Sequence, residues 1–304
     1  MIKLRLIPDK TQIPFMEYRC ITCIASSVLI ALSIVGWLIY GFNFGIDFTG
    51  GTVVEARQKG GSNISHVRNL MSGAGFKEVH VQEFHGTDIV QLRISQNDKG
   101  SSNRLLSVAE IKSIFGDEFE IRNIEVIGPA ISSELRRDAI IAVIVSILLV
   151  LVYLWFRFEW QYAVGAVLTT VHDVLLALGF MVYTGMTFNL PILAAILTIV
   201  GYSLNDTIVI YDRIRELMNN YKFIPLPEII NLSINQTLAR TITTSITLLI
   251  AALTLLFLGG KSLYGFNVMI VLGVLVGTYS SVVISAPMLI VLKLHHIEKT
   301  HSLN

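Results

Sequence analysis

Cys20–Tyr40 reads CITCIASSVLIALSIVGWLIY, a run without one charged side chain. A helix rises about 1.5 Å per residue, so about 20 apolar residues cross the hydrocarbon of a bilayer. The run is therefore a membrane span. Working outward, Ala139–Phe156, Thr241–Gly260 and Ser262–Leu292 are uncharged runs of the same kind. Trp160–Thr184 and Phe188–Ile210 qualify except for Asp173 and Asp206, which gives six spans. The last run is longer than one crossing needs, so it is expected to tilt, overhang or bend near Pro287.

Composition agrees. Apolar residues make up 53% of the chain and charged residues 15%, against about 25% charge in soluble domains. The charges concentrate in residues 52–137, which reads as one soluble domain inserted after the first span. The net charge of +1 comes with no basic patch, so nothing points to nucleic acid. Cys20 and Cys23 form a C-x-x-C at the head of the first span. With no βαβ context and no second ligand pair, they read as small apolar side chains at a helix end. The run is too long for a signal-peptide core and no A-x-A-like site follows it. Neither a cofactor nor a metal is expected.

Loop charges set the orientation. Lys3, Arg5, Lys10 and Arg19 precede the first span, Arg213, Arg215 and Lys222 lie between spans four and five, and Lys293 and Lys299 follow the last. The opposite turns hold only Lys261. Both termini are thus expected in the cytoplasm and the insert in the periplasm of an inner-membrane protein. The expected layout is a cytoplasmic N-terminus 1–19, a first span 20–41 and a periplasmic domain 42–137. Spans two to six follow over 138–292, with a cytoplasmic loop at about 212–237, then a cytoplasmic C-terminus 293–304.

Within the insert, alternation predicts strands at Thr52–Gln58, Val79–Phe84, Ile89–Ser95 and Glu120–Ile127. Helices are expected at Ile64–Ala74, ended by Gly75, and at Leu105–Phe115, with a turn at Gly86-Thr87-Asp88. The order β-α-β-β-α-β is a ferredoxin-like α+β unit with its helices on one face of an antiparallel sheet. His66, His80 and His85 show no metal spacing and read as ordinary polar positions.

An ionisable side chain inside a bilayer is costly and is a functional candidate by default. Asp206, flanked by Asn205 and Thr207, sits in span four, and Arg240 sits at the start of span five among Thr237, Thr241, Thr243, Thr244 and Ser245. Counting along the helices places the two at similar depth, so they are candidates for a proton-coupling pair. The other reading is an ion pair that only fixes helix packing. His172 and Asp173, near the middle of span three, fit either a relay or a polar contact to a neighbouring helix, and the sequence leaves both open. Gly273-x-x-x-Gly277 permits close helix approach. Pro225 and Pro227 break the fourth loop, and a short interfacial helix is expected from Pro227. Tyr211-Asp212 is half of an aspartyl-protease pair, but no G-x-G-D, H-E-x-x-H or G-x-S-x-G accompanies it. An enzyme is not expected.

Several motifs are more specific. Gly45-Ile-Asp-Phe-Thr-Gly-Gly51 resembles the G-x-D-F-x-G-G motif of the bacterial SecD/SecF translocase family, carried by Gly45, Asp47, Phe48, Gly50 and Gly51. Ile127-Gly-Pro-Ala130, with Gly128 and Pro129, and Glu134-Leu-Arg136 resemble its second signature. Gly201-Tyr-Ser-Leu-Asn-Asp-Thr-Ile-Val209 through Tyr211-Asp-Arg-Ile-Arg-Glu216 resembles the fourth-helix motif, and Ser233-Ile-Asn-Gln-Thr-Leu-Ala-Arg-Thr241 the segment opening the fifth helix. The resemblance implies half of a resistance–nodulation–division transporter, completed by a SecD-type subunit. It implies association with the SecYEG channel and YajC, and use of the proton-motive force to help an unfolded polypeptide across the inner membrane late in export. In this family an Asp and an Arg at the positions of Asp206 and Arg240 are tied to proton conduction. Asp212, Asn205, Thr207, His172 and Asp173 remain ancillary candidates. A free-standing exporter of lipids or small molecules from the same superfamily is the alternative.

Overall fold

The structure, a computed structural model, describes residues 11–58, 64–74, 76, 79–83, 89–95, 108–260 and 263–294. Lys3, Arg5, Lys10, His85, the turn 86–88, Lys261 and Lys299 lie outside the described residues. Two compact units form: residues 43–142 with 187–190, and the remainder of the chain.

The first unit holds a short helix α2 (Ile46–Thr49) and the strands β1 (Gly51–Gln58), β2 (Val79–Glu83), β3 (Ile89–Ser95) and β4 (Phe119–Ile127). Its longer helices are α3 (Ile64–Gly73) and α4 (Val108–Phe115). The sheet order is β2-β3-β1-β4 and every pair is antiparallel. That order follows from the chain: β1 and β2 are joined through α3 and leave a gap that β3 fills by a hairpin. Period-two alternation in β1 and β3 turns Val54, Ala56, Val90, Leu92 and Ile94 to one face. There Val67 and Met71 of α3 and Ile111 and Phe115 of α4 cover them. Burying such side chains contributes about 1.5–3 kcal/mol each. The α+β expectation is met, with both helices on one face.

The second unit contains the spans. These are α1 (Arg19–Tyr40), α5 (Pro129–Arg157, whose first turns belong to the other unit), α6 (Trp160–Thr184), α7 (Leu190–Asn220) and α8 (Leu226–Leu258). The last is built from α9 (Tyr264–Ser280), a π-helical turn Ser281–Ser285 and α10 (Ala286–Val291). All six are long and apolar enough to cross a membrane. The π-turn answers the expected irregularity near Pro287. A proline has no N–H and crowds the carbonyl four residues back, here Val283 inside that turn.

Small residues let the spans approach closely. A Cβ added to Gly179 of α6 would lie 3.0 Å from Ser33 Cα of α1, and one on Gly36 would strike the Tyr183 ring. Tyr183 then donates across to Leu32 O at 2.7 Å. Gly273 and Gly277 do the same for α9, set against Ile199 and Ser203 of α7.

Two loop expectations need correction. The segment 212–237 is mostly helix, because α7 runs to Asn220 and α8 begins at Leu226. Pro225 and Pro227 confine the break: Pro227 occupies the first turn of α8, where its missing N–H costs nothing. The first turns of α8 are not an interfacial helix either. Ile229, Ile230 and Ile234 are fully buried against Ile214, Leu217 and Tyr162. The chain ahead of α1 closes over this core. Met16 is buried there, and the Asn235 amide both accepts from Ile13 N (2.9 Å) and donates to Ile13 O (3.0 Å). Asn231, one turn earlier on α8, accepts from Met16 N at 2.9 Å.

Candidate functional site

Asp206 lies on the inner face of α7, 2% exposed, and its Oδ2 has no hydrogen-bond partner among the described residues. Thr207 beside it and Thr241 on α8 are each 1% exposed, and their hydroxyls are likewise unpartnered. Unpaired buried polar atoms are rare, and each calls for an explanation. Arg240 is on the exposed side of α8. No direct ion pair joins it to Asp206 among the described residues. The hydroxyls around Arg240 do not enclose it. Thr237, Thr243 and Thr244 bond carbonyls of their own helix. Ser245 alone reaches across, to Tyr202 of α7 and Thr278 of α9, both at 2.7 Å. Asn205, the residue before Asp206 on α7, is exposed and points away from that buried face.

Asp173 sits one layer nearer the first residue of α7. At 1% exposure it accepts from Ser203 of α7 and, at 2.8 Å, from Ser280 of α9. His172 Nδ1 lies 2.9 Å from its other oxygen, while His172 Nε2 is buried and has no partner among the described residues. The His–Asp step thus ties three spans together. Its serine partners lie 30 and 107 residues away along the chain, a spacing no local motif reveals.

Asp212 is used differently from Asp206. Both its oxygens accept from the guanidinium of Arg157 at 2.6 and 2.7 Å, and Arg157 also lies over the Phe158 ring at 4.9 Å. Both contacts come from one guanidinium nitrogen, and the pair is partly exposed, which fits a clamp between the last turn of α5 and α7. Sequence reading missed Arg157, because a lone Arg at the end of an apolar run carries no signal of its partner.

The glycine motif is explained residue by residue. Gly45 N donates to Phe188 O at 2.7 Å, and a Cβ there would lie 3.1 Å from that oxygen. Asp47 Oδ2 accepts from Leu190 N, the first residue of α7, at 2.8 Å. Phe48 stacks on Phe188, with ring centroids 5.4 Å apart. Gly50 (φ 70°) and Gly51 (φ 133°) turn the chain into β1 in backbone regions that favour glycine. Arg93, on the face of β3 away from α3 and α4, is buried and bonds Asn43 and Thr187. Gly128 closes β4 and Pro129 starts α5 directly. Among the described residues no cluster of His, Cys, Asp and Glu could hold a metal, and Cys20 and Cys23 are free and exposed.

Fold and site define a polytopic membrane protein with an inserted α+β domain and ionisable groups buried inside its spans. The sequence matches the family model "Protein export membrane protein SecD/SecF, C-terminal" over residues 107–295 and "SecD/SecF GG Motif" over residues 35–57. It is 43% identical over 288 residues to a protein translocase subunit SecF of Rickettsia akari (strain Hartford), covering 94% of each chain. A SecF of Rickettsia bellii (strain OSU 85-389) is 40% identical over 298 residues, covering 97% of this chain and 98% of that one. The crystal structure of SecDF, a translocon-associated membrane protein from Thermus thermophilus, superposes with a TM-score of 0.86 at 36% identity. That match covers 95% of this chain and 40% of the solved one. The chain belongs to the SecD/SecF family of protein export membrane proteins.

Proposed function

We propose that this chain is a non-enzymatic subunit of Sec protein export that couples the proton-motive force to late steps of translocation across the inner membrane, its termini cytoplasmic. The observation that carries the reading is Asp206: a carboxylate 2% exposed inside a span, with one oxygen unpartnered. Such a group takes up and releases a proton at large energetic consequence. One charge moved through 100 mV releases about 2.3 kcal/mol, enough to bias a two-state element by nearly two decades. A proton neutralises Asp206, and the separation from Arg240 described above matches that member of the cycle. On deprotonation the guanidinium pairs with the carboxylate, and the helices shift between the two states.

A second, SecD-type half completes the unit, which works beside the SecYEG channel and YajC on an unfolded polypeptide. Support comes from the exposed side of α7, where Ala194, Thr198, Gly201 and Asn205 recur every three or four residues. Lipid gains nothing from such a face, whereas small and polar residues favour helix–helix contact. A free-standing exporter would have to expose this face and Arg240 to lipid.

The test is export into inverted vesicles with and without an uncoupler, beside a check of complex assembly. Asp206→Asn and Arg240→Ala assemble normally and lose the uncoupler-sensitive stimulation. Full stimulation in Asp206→Asn refutes the proposal.

A further inference from the structure

Asp206 is enclosed, so a proton bound for it needs polar groups along its way. Ser203 precedes it by three residues on α7, which places both on one helix face with Ser203 about 4.5 Å nearer the first residue of the helix. At that level Ser203 donates to Asp173, Ser280 donates to the same oxygen, and His172 Nδ1 meets the other. None of the four residues is more than 4% exposed.

A carboxylate bonded by three neighbours is sufficient as a packing brace, but two features exceed that role. Among the described residues His172 Nε2 is buried without a partner, and so are Asp206 Oδ2 and Thr207 Oγ1 one turn beyond Ser203. A brace has no use for unpaired polar atoms, whose burial is costly, whereas a proton route needs them. The second feature is the π-helical turn that opens directly after Ser280. Such turns are rare and recur at functional sites. The elements packed against α6 bring little charge. Of the elements packed against α6, α1 carries only Arg19 at its first residue, and α9, the π-turn and α10 carry none. On α7 the charged residue within one turn of Ser203 is Asp206 itself.

We propose that His172 and Asp173 form a proton station that feeds Asp206 through Ser203. The imidazole gains a proton at Nε2 and gives its Nδ1 proton to Asp173 Oδ1, so the ring stays neutral and changes tautomer. The Asp173 carboxyl turns about its Cβ–Cγ bond and so carries that proton from the His172 side to the Ser203 side; Ser203 rotates its hydroxyl toward Asp206, passes on its own proton, and receives the one from Asp173. Between protons the ring turns over, so that Nε2–H faces Asp173 and Nδ1 receives the next proton, the two nitrogens alternating as entry and exit. The proposal rests on Asp206 being the acceptor.

The experiment uses the chain assembled with its SecD-type partner in inverted vesicles. It compares Asp206→Asn, Asp173→Asn and His172→Gln for uncoupler-sensitive export and thermal unfolding midpoint. Modification of Asp206 by dicyclohexylcarbodiimide, read by mass spectrometry, reports its protonation. Asparagine at 173 still accepts from both serines, so a brace tolerates it. The station predicts unchanged midpoints, a tenfold or greater loss of stimulation in both station variants, and Asp206 modification that no longer rises when the compartment facing the inserted domain is acidified. If Asp173→Asn and His172→Gln keep wild-type stimulation and modification while Asp206→Asn fails, the station is overturned and Asp206 stands. If Asp206→Asn works and Asp173→Asn fails, Asp173 is the acceptor and the hand-off is overturned. If Asp173→Asn alone unfolds, normal stimulation in His172→Gln overturns the station equally.

Discussion

Asp47 Oδ2 accepts the backbone N–H of Leu190 at 2.8 Å, so the acidic residue of the glycine motif caps the helix that carries Asp206. The first N–H groups of a helix have no partner within it, and a carboxylate also meets the positive end of its dipole. Asp47→Ala is expected to lower stability by about 1 kcal/mol. Asp47→Asn keeps an acceptor and loses less. Thermal unfolding in detergent checks the order of the two, and equal midpoints for Asp47→Ala and the native chain would remove the cap from the account.

Gly50 has φ 70° and ψ 162°, a region essentially restricted to glycine. Gly50→Ala is expected to cost about 1–3 kcal/mol from backbone strain. Gly73, at the end of α3, has open space around its missing Cβ. Gly73→Ala is therefore the matched control, neutral or slightly stabilising. Denaturant midpoints of the two variants should differ clearly, and similar midpoints would show that the strain argument fails.

The close approach of α1 and α6 rests on Gly179, where a Cβ would come within 2.4 Å of Ser33 Cβ. Gly179→Ala is expected to destabilise by about 1–3 kcal/mol through overpacking. Ser33→Gly in the same chain should recover part of that loss. A double-mutant cycle measures the coupling, and strictly additive losses would mean the helices do not meet there.

Arg157 and Asp212 are each 40% exposed, so their pair should contribute no more than about 1 kcal/mol and weaken as salt is raised. Asp212→Asn is expected to keep uncoupler-sensitive export. A loss as deep as that of Asp206→Asn would place Asp212 on the proton route instead.

Topology is checked by accessibility. In a background lacking Cys20 and Cys23, a cysteine replacing Lys112 should react with an impermeant maleimide added to intact cells, and one replacing Asn219 should not. Both positions are exposed. Labelling at Asn219 would reverse the orientation.

The spans were legible because a bilayer imposes a length and excludes charge, and both constraints are written locally. The α+β insert was legible because alternation and breaker residues are local as well. Side-chain partnerships were not. Asp173 stood out in the sequence, yet Ser203 and Ser280 are ordinary hydroxyls until packing brings them to it. Asp47 belongs to a recognisable motif, but its capping role depends on a backbone N–H 143 residues away. The helical run of α8 across Pro227 was misread because proline breaks a helix interior and favours a first turn, and only the surrounding structure tells which applies.

The amide of Asn235 gripping the backbone of Ile13 joins positions 222 residues apart. A ribosome adds about 5–20 residues per second, so that grip waits about 10–45 seconds after its first half has been made. Throughout that interval the segment ahead of α1 has no Asn231 or Asn235 to hold it, and Met16 has no Ile230 or Ile234 to pack near. The clasp therefore closes late: only a chain made as far as Asn235 can hold Ile13 and Met16 in place.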